Sequence, residues 1–298
     1  MEKEVIGYGI GQYFETFMDV VLKKVNITYL CDANWEKYMP EYRGIPVISP
    51  DEARKHKDAL FCIFSGNERS GNSIKSMLDE WGVEYVHAGE YISLGKSITG
   101  AYLKQSGFNG HYEDEYGNVI DYAVDIPDSL SIIFKNTNNH VVIAPRVTSR
   151  YFVITCGKDS VCTIGESTEV VGMEIYVSYG EVCIGQDCLM SSNVEIRNAD
   201  GHHLFSKKDG TRINGPKNIS IGNHVWIGKG AVLLGDFSIG DNSVVGTMAV
   251  SSSKFPSEVV IAGNPAKIIR ENVCWTRDST DYFNISDICD SYDTKYIF

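Results

Sequence analysis

The sequence predicts two parts of different fold class, an α/β domain followed by an all-β solenoid of stacked parallel strands. Three observations lead to this prediction. Strand-like and helix-like segments alternate over residues 3–93. Blocks of six residues run from about 131 to 264, and VEIRNADGHHLF, residues 194–205, interrupts them. Alternating strands and helices are typical of a parallel α/β sheet, and a short fixed period is typical of a solenoid.

The N-terminal alternation starts with KEVIGYG, an apolar run that ends in glycines. QYFETFMDVVLKK follows with the apolar spacing of a helix, and NITYLCD is a second strand. Ser49 or Asp51 is placed to cap a short helix in SPDEARKHK. DALFCIFSGN, GNSIKSMLDEWG and VEYVHAGEY add a third strand, a helix closed by Gly82 and a fourth strand. We therefore expect βαβ units over residues 1–95.

The six-residue blocks each begin with an aliphatic residue, often followed by glycine. Three such blocks close one triangular coil, and stacked coils align the aliphatic side chains into a dry core. Small residues at the fifth positions, such as Ala231, Ser243 and Ala249, fit the tight corners. The first positions are Ile164, Ile184, Met190, Ile196, Ile221, Ile227, Leu233, Ile239 and Val245.

These patterns divide the chain into four segments. The α/β domain covers 1–95, a connector rich in tyrosine and glycine covers 96–130, the solenoid covers 131–270, and an acidic tail covers 271–298. The periodicity assigns no fold to the connector. We expect the tail to be a peripheral segment held by a few aromatic side chains.

Composition and charge exclude several classes of protein. Hydrophobic residues make up 43% of the 298 residues, which is enough for sizeable cores. The net charge of −12 argues against broad binding to nucleic acid, although a local basic pocket can still hold an anionic ligand. No apolar run is long enough to cross a membrane, and the N-terminus lacks the pattern of a signal peptide.

The eight cysteines form no CxxC pair, and several lie in aliphatic strand-like contexts such as VCTIG. We expect buried free thiols and neither disulfides nor a metal site. Together with the N-terminus, this predicts a cytoplasmic protein.

A glycine-rich turn, GYGIG, follows the first strand and precedes the first helix. Gly7, Gly9 and Gly11 lie in the setting of a nucleotide-binding turn, where phosphate approaches backbone amides. The third glycine of a dinucleotide fingerprint would fall at position 12, which is Gln12. The pattern therefore does not support a dinucleotide site.

The stretch IGNHVWIGKGAVLLGDFSIGDNSVVG, followed by IAGNPAKIIR, resembles the hexapeptide-repeat acyltransferases. The resemblance covers roughly residues 131–272. It implies a left-handed parallel β-helix, a homotrimer and acetyl-CoA as co-substrate. Within the family, IRNADGHHLF and GTRINGPKNISIGNHVWIG are most similar to sugar and polysaccharide O-acetyltransferases. An excursion loop in such enzymes overhangs the groove between subunits.

The resemblance identifies His202 as the candidate general base and Trp226 as the tryptophan beside the acyl donor. Imidazole suits this role because it accepts and returns a proton near neutral pH. Asp200 lies two residues before His202, so on a strand it would point to the same side and orient the ring. Backbone N–H groups or the Trp226 indole are candidates to face a developing oxyanion. His224, inside a regular block, is expected to be exposed and without a role.

The resemblance also implies residues that bind coenzyme A. Gly228, Gly246 and Ala249 lie in the late blocks, where the pantetheine chain runs along the coil edge in the family. Lys267 and Arg270 are candidates to meet its phosphates. Lys254 stands in AVSSSKF, where the family commonly has SVVTKD, and it is retained as a displaced candidate.

Residues 1–95 resemble a different group, the Rossmann-like N-terminal domain of sugar-nucleotide N-acetyltransferases. That resemblance rests on GYGIGQ, YLCDANW, GIPVISPDEA and FSGNERSGNSIKSML, and it makes Asp32 and Asn67 candidate acceptor contacts. His203 and Arg212, in the interrupting stretch, are further acceptor candidates. Three hypotheses follow: an O-acetyltransferase of a surface-polysaccharide saccharide, an N-acetyltransferase of a nucleotide-linked amino sugar, or a non-catalytic β-helix scaffold.

Overall fold

A computed structural model of the chain describes residues 3–92 and 94–277. The chain divides into two compact units between residues 93 and 94. The acidic tail is therefore described only as far as Arg277, and Cys289 lies outside the described residues. No helix within the described ranges is both long enough and apolar enough to cross a membrane.

The first unit is a parallel sheet with helices on both faces. Its strands and helices are β1 (Val5–Tyr8), α1 (Gln12–Leu22), β2 (Tyr29–Cys31), β3 (Glu41–Tyr42), β4 (Ile45–Ile48), α2 (Pro50–Ala53), β5 (Leu60–Ile63), α3 (Glu68–Trp81) and β6 (Glu84–His87). The strand order is β3-β4-β2-β1-β5-β6, and only β3 is antiparallel to its neighbour. One apolar cluster packs α1 against the sheet, and another packs α3 against it.

Local sequence explains these elements. The predicted apolar face of α1 is buried, and Ser49 caps α2 by accepting the N–H of Glu52 at 3.1 Å. Gly9 has φ +104°, and a Cβ there would lie 2.6 Å from the carbonyl oxygen of Phe64, so the turn after β1 needs glycine. The strand β4 was missed by the periodicity, which Pro46 obscures.

The second unit starts inside the segment that was predicted as a connector. Residues 96–130 form β7 (Ser97–Thr99), α4 (Gly100–Gln105), β8 (His111–Glu113) and β9 (Val119–Tyr122). β9 pairs in parallel with the strand His140–Ile143, so it is a rung of the solenoid. The solenoid thus begins before residue 131, and 96–130 is part of the second unit.

The solenoid is a three-sided parallel β-helix, because every third strand returns to the same sheet. The first face contains β10 (Leu130–Phe134), β13 (Phe152–Cys156), β16 (Met173–Val177), β19 (Val194–Arg197), β22 (Val232–Leu234) and β25 (Val250–Ser251). The second face stacks β9 with β11 (His140–Ile143), β14 (Val161–Ile164), β17 (Glu181–Ile184), β20 (Ile219–Ile221), β23 (Ser238–Ile239) and β26 (Lys254–Phe255). The third face contains β12 (Thr148–Ser149), β15 (Glu169–Val170), β18 (Leu189–Met190), β21 (Trp226–Ile227), β24 (Val244–Val245), β27 (Val259–Gly263) and the antiparallel β28 (Ala266–Glu271).

The interior of the coil follows the six-residue period. All nine predicted first positions are buried, and so are the three small residues at fifth positions. Side chains alternate between inside and outside along β10, β13 and β16, as the pleat requires. The prediction of a solenoid with an aliphatic core is confirmed.

The described cysteines are free thiols. Five are buried, and burial raises the pKa of Cys156 and Cys188 to about 12. Cys183 is half-buried, and Cys274 is exposed, so the prediction of burial is wrong for Cys274.

Candidate active site

The predicted catalytic histidine lies in a loop that leaves one corner of the coil. In the coil below, residues 178–180 join the first face to the second; here residues 198–218 do so, and we call them the excursion loop. Its two ends are pinned together. The Asn198 side chain is 1% exposed, and its Nδ2 donates to the carbonyl oxygen of Lys217 at 2.8 Å, while the N–H of Lys217 donates to the carbonyl of Asn198 at 3.1 Å.

Asn198 also ties the loop to the coil below. Its Oδ1 accepts the N–H of Ser178 at 2.9 Å, and its Nδ2 donates to the carbonyl oxygen of Ser178 at 3.1 Å. A buried asparagine with these bonds replaces the backbone pairing that a continuous corner would have made. The base of the loop is therefore a fixed point, from which the segment that carries the histidines projects.

Within the loop, Asn214 organises the predicted catalytic segment. Its Nδ2 donates to the carboxylate of Asp200 and to the carbonyl oxygen of His202, both at 2.8 Å, and its Oδ1 accepts the N–H of Leu204 at 2.7 Å. Asp200 therefore holds the main chain of His202 through Asn214. No hydrogen bond between the Asp200 carboxylate and the His202 ring is found in the described part of the chain.

The two histidines of the loop are both exposed. The His202 imidazole makes no hydrogen bond within residues 3–92 and 94–277, so it is presented to whatever occupies the space beside the loop. The ring of His203 lies edge-on to Phe205, with centroids 6.2 Å apart. Arg212 pairs with Phe205 across a short antiparallel bridge, and its Nη2 donates to the carbonyl of Asn214 at 3.3 Å.

Trp226 lies on the third face, outside the coil, and is 40% exposed. It is stacked between Leu189 in the coil below and Val244 in the coil above. Its indole N–H donates to the hydroxyl of Ser191 at 3.3 Å, so this N–H is directed to a neighbouring strand. Among the described residues, no hydrogen bond or ring contact joins Trp226 to the excursion loop.

His224 does not have the exposed position that was predicted. It is 9% exposed, its Nδ1 lies 2.6 Å from the carboxylate of Asp187, and its Nε2 lies 2.9 Å from the carbonyl oxygen of Trp275. Asp187 and His224 both have positive φ at equivalent corner positions of successive coils, so their side chains leave the coil side by side. Since both partners of the ring are acceptors, both contacts are hydrogen bonds when each ring nitrogen carries a proton.

The carboxylate of Asp187 is held in its ionised form. Burial alone would raise its pKa, but the hydrogen bond from His224 and the positive charge of Arg277 outweigh burial and lower the pKa below its usual range. This carboxylate is consequently a charged anchor at the corner of the second and third faces.

The predicted donor residues occupy different environments. Gly228 is buried against the next coil, and a Cβ on it would lie 2.6 Å from the backbone nitrogen of Thr247. Gly246 is half-buried in the coil above. Ala249 is 1% exposed, and its contact with a cofactor stays a prediction.

The basic candidates are all exposed. Lys254 forms an ion pair with Asp236 at 2.9 Å. Lys267 and Arg270 lie on β28, the strand that closes the third sheet, and the Arg270 Nη1 donates to the carbonyl of Ile269 at 3.3 Å. Lys267, Arg270 and Trp226 therefore belong to one sheet.

The family follows from the coil and from three comparisons. The bacterial transferase hexapeptide family, described by six repeats, matches residues 218–250. The polysialic acid O-acetyltransferase of Neisseria meningitidis is 38% identical over 151 residues, which cover 50% of this chain and 70% of that protein. The chain belongs to the hexapeptide-repeat acyltransferases.

Two further relatives of this acyltransferase act on the same polymer. The polysialic acid O-acetyltransferase of Escherichia coli O1:K1 / APEC is 34% identical over 144 residues, 48% of this chain, and the match spans about half of that relative's length, 47%. The crystal structure of the polySia-specific acetyltransferase NeuO matches with a TM-score of 0.53 at 34% identity, over 57% of this chain and 78% of that one. Membership of an acyltransferase family favours the two enzyme hypotheses over a non-catalytic scaffold.

In the α/β unit of the acyltransferase, both predicted acceptor residues serve the local fold. Asp32 accepts the N–H of Ile10 at 2.8 Å and the N–H of Asn34 at 2.7 Å, which braces the turn after β1. Asn67 caps α3 by accepting the N–H of Ser70 at 2.8 Å. A cavity of about 460 Å³ opens beside Asn67, at the carboxyl ends of β5 and β6; its lining includes Ser65, Lys75 and His87.

Several residues that organise the acyltransferase site were missed by the sequence reasoning. Asn198 and Asn214 stand in a polar run without periodicity, where nothing distinguishes a bracing asparagine from a solvated one. Asp187 and His224 are 37 positions apart, and only the coil register brings them together. The aromatic residues expected to anchor the tail are represented in the described part by Trp275, which stacks on His224.

Proposed function

We propose that the protein transfers an acetyl group from acetyl-CoA to a hydroxyl group of a saccharide in surface-polysaccharide assembly, with His202 as general base. One observation carries the proposal. An exposed imidazole stands on a braced loop that leaves a hexapeptide coil, in a chain of which 151 residues are 38% identical to a polysialic acid O-acetyltransferase. The proposal includes the left-handed winding of the coil and a Rossmann-like identity for the first unit.

The chemistry assigned to the loop is proton transfer. His202 takes the proton of the acceptor hydroxyl as oxygen attacks the thioester carbonyl, and returns it to the departing thiolate. A positioned imidazole contributes about 10²–10⁴-fold to such a step. Asp200 and Asn214 hold the main chain of His202, which fixes the point from which the ring extends.

The residues of the third sheet fit the proposed donor. Trp226 offers an apolar wall for the thin pantetheine chain, and the exposed Lys267 and Arg270 offer cations for its phosphates. β28 is three strands away from β21 in the sheet order, which is roughly 14 Å at about 4.8 Å per strand. A long donor that runs along the sheet can meet both.

The site is assigned to the boundary between neighbouring copies of the chain. His202 leaves the corner of the first and second faces, whereas Trp226 lies on the third face, and no hydrogen bond or ring contact joins the two within the described residues. A general base and a donor wall have to meet at one reacting carbonyl. A homotrimer, in which the loop of one copy reaches the third sheet of the next, satisfies this requirement.

The test is acetyl transfer from acetyl-CoA to polysialic acid chains. The rate is measured as thiol release, and the product is identified by its mass. His202→Ala is expected to lower the rate by at least 100-fold while circular dichroism stays unchanged. The matched control is His111→Ala, an exposed histidine outside the excursion loop, which is expected to retain most of the activity. Unchanged turnover in His202→Ala would remove this residue from the mechanism.

A second candidate, an N-acetyltransferase of a nucleotide-linked amino sugar, is favoured by the cavity at the carboxyl ends of β5 and β6. Ligands of open parallel sheets bind at this edge. Titration of the full chain with UDP-sugars tests it: binding that is weakened by Lys75→Ala supports this candidate, and the absence of binding excludes the UDP-sugar version.

A further inference from the structure

The chain that follows β28 runs down the corner between the second and third faces. Residues 272–277 form this stretch, which we call the strap. The N–H of Val273 donates to the carbonyl of Glu258 at 3.1 Å, Trp275 contacts His224, and Arg277 contacts residues of two lower coils. The strap is not part of the six-residue repeat, so the stacking of coils alone does not account for these contacts.

Arg277 fixes the lower end of the strap. Its Nε donates to Asp187 at 3.1 Å, its Nη1 to Glu169 at 3.1 Å, and its Nη2 to the carbonyl oxygen of Cys188 at 2.8 Å. All three guanidinium nitrogens are thus engaged with acceptors, and the side chain is 26% exposed. A planar group bound at three nitrogens has one orientation, and two of its bonds are ion pairs with carboxylates.

Trp275, two residues before Arg277, is held against His224. Its ring stacks on the His224 ring with centroids 4.2 Å apart and an interplanar angle of 12°. Its indole N–H donates to the carbonyl of His224 at 2.8 Å, while Nε2 of His224 faces the carbonyl of Trp275. The ring of Trp275 then lies 6.0 Å from the ring of Trp226, tilted by 43°.

We propose that Trp275 is a second aromatic wall of the acyl-donor site, beside Trp226. Asp187, His224 and Arg277 are positioning residues that hold it there. The inference rests on the proposed function, because acetyl-CoA is the ligand it assigns to this surface. The two indoles, with ring centroids 6.0 Å apart and planes at 43°, form one continuous aromatic surface beside the third face, which offers a narrow apolar chain or a purine ring more contact area than Trp226 alone.

Binding of CoA, without an acceptor and without turnover, tests the inference. The chain has four tryptophans, so Trp35→Phe and Trp81→Phe leave emission from Trp226 and Trp275 alone. We expect CoA to change that emission. In calorimetry, Trp275→Ala is expected to raise the Kd for CoA about tenfold, the loss of one aromatic contact, and Trp275→Phe to raise it much less.

A double-mutant cycle separates positioning from simple stability. Arg277→Ala is expected to raise the Kd for CoA about tenfold when Trp275 is present and to have no further effect in Trp275→Ala, because Arg277 acts through Trp275. The matched control is Arg146→Ala, which removes the ion pair with Glu166 elsewhere on the coil and is expected to leave the Kd within about twofold.

The outcomes distinguish this inference from the proposed function. If Trp226→Ala weakens CoA binding but Trp275→Ala and Trp275→Phe leave it unchanged, the inference is overturned and the donor site stands. If Arg277→Ala lowers thermal stability without changing the Kd, its positioning role is refuted. If the unmodified chain does not bind CoA, the proposed donor itself is wrong, and this inference falls with it.

Discussion

Asn198→Ala is expected to destabilise the coil and to misplace the catalytic loop. The substitution removes three buried hydrogen bonds, from the N–H of Ser178 and to the carbonyl oxygens of Ser178 and Lys217. At about 1 kcal/mol each, the loss is about 3 kcal/mol in the free energy of unfolding. The loop then loses this side-chain anchor, while the backbone bonds of Asn198 and Lys217 and the bond from the Glu181 N–H to the Asn218 side chain remain at its base.

The assay combines urea unfolding with acetyl-transfer kinetics. Emission of Trp226 and Trp275, in a chain with Trp35→Phe and Trp81→Phe, reports the unfolding of the coil. The matched control is Asn139→Ala, which removes an equally buried corner asparagine three coils below, bonded to Asn118, Gly157 and Ser160. Both variants are expected to lower the urea midpoint, but only Asn198→Ala is expected to lower kcat at temperatures where both remain folded.

Two results would refute this reasoning. A change below about 0.5 kcal/mol in the free energy of unfolding of Asn198→Ala would mean that water or the backbone replaces the lost bonds. Equal loss of kcat in both variants would mean that activity follows the stability of the coil as a whole, and that Asn198 has no specific effect on the loop.

The remaining predictions concern coil stacking and acid stability. Gly228→Ala is expected to lower the melting temperature sharply, because its Cβ would lie 2.6 Å from a backbone nitrogen. Gly215→Ala, with open space around the Cβ, is expected to change the melting temperature little. Equal effects of the two substitutions would contradict the stacking argument. Asp187→Asn is expected to be less stable than the unmodified chain at pH 7, and the difference is expected to shrink below about pH 4, because the lowered pKa of Asp187 contributes stability that is lost as the pH falls through it. Melting curves from pH 7 to pH 3 check this, and a constant difference would exclude Asp187 as the source.

The interior of the coil was predictable from sequence because one rule determines it. Residues six positions apart face the same core, so Ile221, Ile227 and Leu233 are inside for the same reason, and all are buried. The same rule placed the interruption correctly. The rule does not identify the connector as part of the coil. Its strand Val119–Tyr122 belongs to the solenoid, but an irregular turn follows it, so no six-residue period marks this strand.

The outer contacts of the site were not predictable in this way. Whether His224 is exposed depends on what covers it, and the cover is Trp275, 51 positions later. Asp200 was expected beside the His202 ring because of strand geometry, but the loop is not a strand there, and Asn214 takes the carboxylate instead. Side chains outside the coil follow loop paths, which a period does not encode.

The coil tolerates the excursion loop because its strands keep their register across it. Val182 pairs with Ile219 and Glu195 with Val232, as in an uninterrupted stack. Residues 198–218 replace a corner of three residues, 178–180, so the connection is about sevenfold longer. Each doubling costs about 0.6 kcal/mol of closure entropy, which gives about 1.7 kcal/mol for nearly three doublings. The bonds of Asn198, about 3 kcal/mol, outweigh that cost. A catalytic loop can therefore vary in length and sequence above a fixed base, while the stability of the coil depends on the asparagine beneath it.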